Sequence, residues 1–513
     1  MRRLLPLVAL ALVAAGSALS ATATSAGSKP TLRFASATSV SNLNPAIDID
    51  SYVLALAYAA LLHINPDGSF APALATSWHY VGTGNKTFEL TLRKDAHFSD
   101  GTPVNAQAVK KWMTYFSTEK GAFAKNIPFK TIQTVGQWKV VLHLSRAEPN
   151  MPLLLSEPIE SGFIGSPKAL SNPDQLKTHT DGAGPYMVDP SQTVPGDHYT
   201  FVPNPHYYDP SAIKFSKVTY RTITQPTTLL AAVQTGQLDT GFGDLSTVKQ
   251  AEAAGLNIVT APLGWVGLLL LDRGPTTQDG QPNPLSKLAV RQALNYAVDR
   301  NEVNDLIYQG KSEPMWATWT QSNALFNPKL KNYYKYNPTK AKQLIKESGV
   351  GKVSFDFYAG PLPENQRMAE ILKEQWAKVG IQANLVNFTN IVQEFFQDNK
   401  APAGVIPLMR SGLDKVTRNL VPGSVGDKCN YDDPKLNALV AKVRELGADT
   451  KEFQKAWWDL DAYIVKNALH VYVVWAPNIT AYNTGRVGNM TYRPDVFGQP
   501  RVDVFKVYIR KGK

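Results

Sequence analysis

The stretch from Pro262 to Asp272 limits the folds open to this chain more than any other part of it. Leu263, Trp265, Val266 and Leu268 to Leu271 make it the longest apolar run beyond the N-terminus. A membrane-spanning helix needs about 20 apolar residues, so the run is too short to cross a bilayer. Gly264 and Gly267 disfavour a helix, and a short apolar run bounded by turn signals reads as a strand buried on both faces. Alternating strand and helix patterns lie on each side. The run is therefore expected to join two α/β lobes, with Trp265 near the seam, where ligand pockets favour the cleft between domains. The same pattern also fits an ordinary core strand carrying a packed tryptophan.

At 513 residues the chain exceeds what one hydrophobic core organises, so two or three domains are expected. The formal net charge is +11, or +9 without Arg2 and Arg3, and the surplus is spread along the chain without a contiguous basic block. That distribution suits a solvated surface with some attraction for anionic lipid headgroups, and it suits nucleic-acid binding poorly.

Arg2-Arg3 precedes an apolar region from Leu4 to about Leu19, followed by Ala21-Thr22-Ala23. A charged start, a short apolar core and an Ala-x-Ala site make residues 1–26 a secretory signal peptide. A membrane anchor fits less well, because Gly16 and Ser17 break the apolar run. This region has no cysteine for lipid attachment, so a periplasmic, freely diffusing protein is expected. Cys429 is the only cysteine, so no internal disulfide can form and stability must come from packed cores. It reads as a small buried hydrophobe.

Thr31 to Ala37 reads as a first strand, Tyr52 to Leu62 as an apolar helix, and Thr87 to Arg93 as an alternating strand. Asp100-Gly101-Thr102-Pro103 is a turn leading to a helix capped by Asn105, with Val109, Trp112, Met113 and Phe116 as its buried stripe. Val135 to Leu144 reads as another strand. Gly274 to Pro284 is a loop at the lobe boundary. Asn337-Pro338 to Gly349 is a helix with a cap, a first-position proline and a closing glycine. Met368, Ile371, Leu372, Trp376 and Val379 form a further helical stripe. His470 to Trp475 reads as a buried strand returning to the first lobe.

The motifs of several chemistries are missing. There is no Gly-x-Ser-x-Gly elbow, phosphate-binding Gly-x-x-x-x-Gly-Lys loop or His-Glu-x-x-His pair. Gly241-Phe242-Gly243 has Ser246 where a dinucleotide fingerprint wants glycine. The eight histidines are scattered, with no metal-ligand pair at helical spacing. Nothing in these motifs commits the chain to catalysis, and neither a cofactor nor a resident metal is expected.

An ordered set of motifs carries a resemblance. Phe70 to Trp78, Leu92-Arg93, Phe98 to Val104, Gly182-x-Gly184-Pro185-Tyr186 and Asn204-Pro205-x-Tyr207-Tyr208 come first. Ala231-Ala232-Val233-Gln234-x-Gly236-x-x-Asp239, Val290 to Arg300, Pro338-x-x-Ala341-x-x-Leu344 and Gly380-Ile381 follow. Together they resemble extracellular solute-binding family 5, the peptide- and nickel-type binding proteins of ABC importers. The resemblance implies an α/β, two-lobe periplasmic-binding-protein fold (type II, cluster C-like). Lobe 1 would span 27–264 with an extra subdomain at about 59–190, lobe 2 would span 265–475, and residues 476–513 would return to lobe 1.

It further implies a monomer that encloses an oligopeptide or dipeptide-like solute between its lobes and delivers it to a membrane permease with its ATPases. In peptide-binding relatives an Asp in a Trp-rich segment holds the ligand's ammonium. The corresponding position here is Asp414, which lacks the preceding tryptophan and is flanked by Arg410 and Lys415. Those charges leave open a non-peptide solute: an oligosaccharide, an opine-like conjugate or a metal chelate. Arg410 suits capture of a carboxylate or phosphate. Trp265, Trp475 and Tyr358 are the candidate aromatic walls, and Asn42 and Asn44 lie in a loop resembling the family's ligand-side loop. The remaining alternative, a secreted hydrolase, lacks any visible nucleophile and base.

Overall fold

The structure is a computed structural model. It describes residues 29–513 except 38–39, 41, 48–50, 66–68, 120–123, 125–126, 278–279, 361, 389–394, 396–399, 409–412, 414–419, 423–431, 448–449, 494–500, 505 and 511–513. Arg410, Asp414, Lys415, Cys429 and the signal peptide lie outside the described residues.

One mixed sheet of ten strands organises the chain. In chain order these are β1 (Thr31–Ser36), β2 (Tyr186–Val188), β3 (His198–Pro203), β4 (Lys217–Thr222), β5 (Thr240–Gly243), β6 (Asn257–Leu270), β7 (Val353–Ala359), β8 (Ile381–Val386), β9 (Ala403–Leu408) and β10 (His470–Tyr482). Across the sheet they run β8-β7-β9-β6-β10-β5-β1-β4-β3-β2. The long strands β6 and β10 pair antiparallel along their length, from Asn257 opposite Tyr482 to Leu269 opposite His470. The second half of β6 also pairs with β9, and the second half of β10 pairs with β5. The apolar run is thus only the downstream part of a 14-residue strand. Its upstream part, Asn257 to Ala261, includes polar residues and belongs to the first lobe's side of the ladder.

Two sets of cores flank this crossing. The buried members of one set come from residues 32–256 and 481–507. Those of the other come from 265–475. A separate antiparallel sheet of four strands, Ala75–Tyr80, Thr87–Leu92, Lys139–Leu144 and Phe129–Val135, adds to the first side. The stretch read from sequence as one strand ending at Leu144 is therefore a hairpin, because Gly136 turns the chain at φ 60°. The apolar helix is likewise shorter than read. It ends at Ala57, and Leu62–Ile64 is a strand instead.

Several motifs have clear structural duties. Asn105 caps the helix α1 (Ala106–Thr118) by accepting from the Ala108 amide at 2.9 Å, and Val109, Trp112, Met113 and Phe116 are all buried. A methyl group on Gly184 would meet the Ala57 carbonyl carbon at 2.4 Å, so this position must lack a side chain. Arg300 is buried and donates to the carbonyls of Met315, Tyr472, Asn295, Val298 and Tyr334. Burial lowers its pKa to about 10. The Val290–Arg300 motif therefore holds α2 (Leu288–Tyr296) and α3 (Arg300–Tyr308) onto β10, through Asn295 to the His470 carbonyl and Arg300 to the Tyr472 carbonyl.

Candidate functional site

Strand direction locates the seam. β5 runs antiparallel to β10, and β1 and β4 run parallel to β5, so the carboxyl ends at Gly243, Ser36 and Thr222 all point toward the crossing. On the other side, β9 ends at Leu408 opposite Trp265, and β7 and β8 run parallel to β9. Carboxyl ends from both lobes therefore converge on the same line. Ligands of open α/β sheets bind outside such ends.

The crossing itself is irregular. Pro262 pairs with Pro477, and the register shifts before Gly264 and again between Val266 and Gly267. Neither proline has an N–H to donate, so the ladder is interrupted here. Among the described residues, three side-chain polar contacts bridge the two sides away from the strands. Gln309 Nε2 donates to the Leu245 carbonyl at 3.0 Å, Lys311 Nζ lies 2.5 Å from Glu252 Oε1, and Asn85 Nδ2 donates to the Arg444 carbonyl at 2.9 Å.

On the first side, the loop after β1 is held by tyrosine hydroxyls. Tyr199 donates to the Val40 carbonyl at 2.7 Å, and Tyr220 shares a 2.7 Å hydrogen bond with Ser36. The side chain of Asn44 is consumed locally, donating to Tyr115 Oη at 2.6 Å and accepting from the Ala46 amide at 3.0 Å. Asn42 Oδ1 accepts from the Asn44 amide. The two asparagines thus shape the loop, as Asn side chains do in turns, and Asn44 is only 1% exposed.

On the second side, three candidate aromatics share one buried cluster. Trp265 and Trp475 are direct partners across the ladder, so they lie on one face of the sheet. The Trp265 indole is 2% exposed and does not line open space. It reaches over Gly267, which has no side chain, and packs on Tyr472 at 4.8 Å and His470 at 5.4 Å between ring centres. Trp475 is also buried. Tyr358 stacks on Phe388 with ring centres 5.0 Å apart and planes 16° apart, and burial raises its hydroxyl pKa.

Other residues here have no sequence signal that singles them out. Phe388 is half-buried just past the carboxyl end of β8, on the seam side. Behind Trp265, the Tyr472 hydroxyl shares a 3.1 Å hydrogen bond with Thr318, which donates to buried Asp461 at 2.8 Å. Burial, then the Asp461 charge, pushes the Tyr472 hydroxyl well above its ordinary range. Among the described residues no three His, Cys, Asp or Glu side chains gather as a metal site. Nor is any described helix long and apolar enough to cross a membrane.

Residues 69–412 match the family described as bacterial extracellular solute-binding proteins, family 5 middle. The nickel-binding periplasmic protein of Escherichia coli K12 is 27% identical over 382 residues, covering 68% of this chain and 69% of that one. A dipeptide-binding protein of Pseudomonas aeruginosa is 25% identical over 431 residues, covering 76% and 77%. Among solved structures, a periplasmic murein tripeptide-binding protein in its unliganded open form superimposes with a TM-score of 0.81 at 17% identity, covering 94% and 97%. The α/β architecture is that of the two-lobe periplasmic binding proteins, with its large mixed sheet.

Proposed function

The chain belongs to the bacterial extracellular solute-binding proteins of family 5, and from that premise we propose that it is the periplasmic binding component of an ABC importer, capturing a di- or oligopeptide between its lobes. The observation that carries this reading is the convergence of strand carboxyl ends from both lobes on the seam that β6 and β10 cross. We take lobe 1 as 27–264 with its subdomain at about 59–190, lobe 2 as 265–475, and 476–513 as the return, with residues 1–26 removed on export. The protein acts as a monomer that hands its cargo to a permease and its ATPases, and performs no chemistry on it.

Closure in such a device requires the solute to touch both lobes, since equal affinity for open and closed forms shifts nothing. The loop after β1, ending in Asn42 and Asn44, contributes the first lobe's contact. Arg410 and Asp414 supply the charged contacts of the second; Arg410 follows Leu408, the ladder partner of Trp265, by two residues. Tyr358 and Phe388 stand at the carboxyl ends of adjacent strands as an apolar wall, with Trp265 and Trp475 as packed support beneath.

A second reading, a metal chelate as cargo, is favoured by the flanking of Asp414 with Arg410 and Lys415 and by the nickel-binding relative. Native mass spectrometry of the exported protein, followed by a thermal-shift screen, separates the two. Stabilisation by di- to pentapeptides supports the first. Stabilisation by histidine–nickel or another chelate, with no response to peptides, removes it.

A further inference from the structure

Between Pro314 and Lys346 the chain has six lysines, at 329, 331, 335, 340, 342 and 346, and no Asp, Glu or Arg. All but the half-buried Lys340 are exposed, and none of the six forms an ion pair among the described residues. Two tyrosines, Tyr333 and Tyr336, lie among them at 36% and 41% exposure. The segment is built as a firm platform. Asn327 binds the Trp458 carbonyl, Tyr334 is buried with its hydroxyl donating to the Val465 carbonyl, and the Asn337 amide donates to the Tyr296 carbonyl. Helix α4 (Pro338–Glu347) buries Ala341 and Leu344 and leaves Lys342 and Lys346 exposed one turn apart.

We infer that this lysine–tyrosine platform on the second lobe docks the protein onto an anionic bilayer surface. The composition selects that partner. Recognition of individual carboxylates or phosphates favours the planar fork of arginine, and the stretch has none. Lysines spread over a surface respond instead to the diffuse potential of anionic headgroups, about fivefold in partitioning for each lysine engaged. Tyrosine is the side chain that settles at headgroup depth, with its ring in the apolar boundary and its hydroxyl in water. Such docking holds the carrier in the plane where a permease would meet it, whichever solute fills the cleft.

The test is co-sedimentation of the exported protein with vesicles of phosphatidylglycerol in phosphatidylcholine, against phosphatidylcholine alone, at low and high salt. The platform is neutralised by Lys329→Gln, Lys331→Gln, Lys335→Gln and Lys342→Gln together. An equal change of net charge elsewhere, Lys86→Gln, Lys94→Gln, Lys111→Gln and Lys130→Gln in the subdomain, is the control. All eight side chains are exposed, and an unchanged thermal midpoint verifies that both variants fold. The expected result is salt-sensitive binding to the anionic vesicles alone, weakened at least about tenfold by the platform variant and less than about twofold by the control. Equal weakening by both variants, or no binding by the parent, overturns the proposal. So does platform-dependent binding to duplex DNA or an acidic protein without binding to vesicles.

Discussion

Pro262 stands opposite Pro477 where the two long strands pass between the lobes. Both partners lack an amide hydrogen, and the register slips beside them, so the ladder is weakest where bending is required. Gly267, Leu268 and Leu269 are paired with strands on both sides. Their amides should exchange with deuterium at least about tenfold more slowly than those of Ala261 and Gly264. Uniform protection from 257 to 270 would move the hinge elsewhere.

Trp265 offers a direct test of packing against lining. As a buried ring seated on Tyr472 and His470, its replacement in Trp265→Ala should cost about 3–5 kcal/mol in urea unfolding. Trp265→Phe should cost clearly less. A loss below about 1 kcal/mol for the alanine variant would mean that the indole supports little of the core.

Arg300 satisfies five carbonyls with one guanidinium. Arg300→Met should destabilise by about 3 kcal/mol or more, because those acceptors stay buried without a donor. Arg300→Lys should rescue only part of this, since an ammonium carries three donors and no planar fork. Chemical denaturation of the three proteins checks it; equal stability of Met and Arg forms would contradict the assignment.

Tyr186 is buried, and burial raises its hydroxyl pKa to about 12, although it binds the Phe215 amide at 3.2 Å. In the unfolded chain the same group ionises near 10. Its neutral form is favoured by folding, so its contribution is complete below pH 10 and is lost as pH rises toward 12. The loss is on the order of 2–3 kcal/mol. Tyr186→Phe should flatten this part of the stability–pH curve; an unchanged slope would count against the assignment.

Much of this architecture was legible in the sequence for a physical reason. Caps, helical stripes and turn glycines are local, and the Asn105 cap with the Trp112 stripe is read from a dozen neighbouring residues. Strand boundaries were less legible where the signal is one residue, as at Gly136, which converts an apparent strand into a hairpin. The Trp265 environment was hidden for a different reason. In a run where nearly every residue is apolar, alternation says nothing about faces, and the ring's direction is set by its bare neighbour Gly267 and by strand β10, some 200 residues away. The pairing of Thr318 with Asp461 likewise joins positions 143 apart and leaves no periodic trace.

The return of β10 into the first lobe has a consequence for biogenesis. Residues 479 to 482 flank β5 on the side away from β1, and Arg486 and Arg33 together neutralise buried Asp239. A ribosome that has finished the amino-terminal half has therefore not yet made the pieces that complete it. The first lobe must wait, its edge strand open and its buried carboxylate lacking one of two arginines, until nearly the whole polypeptide exists. Contacts so distant along the chain form slowly, so the first lobe is among the last parts of the molecule to close.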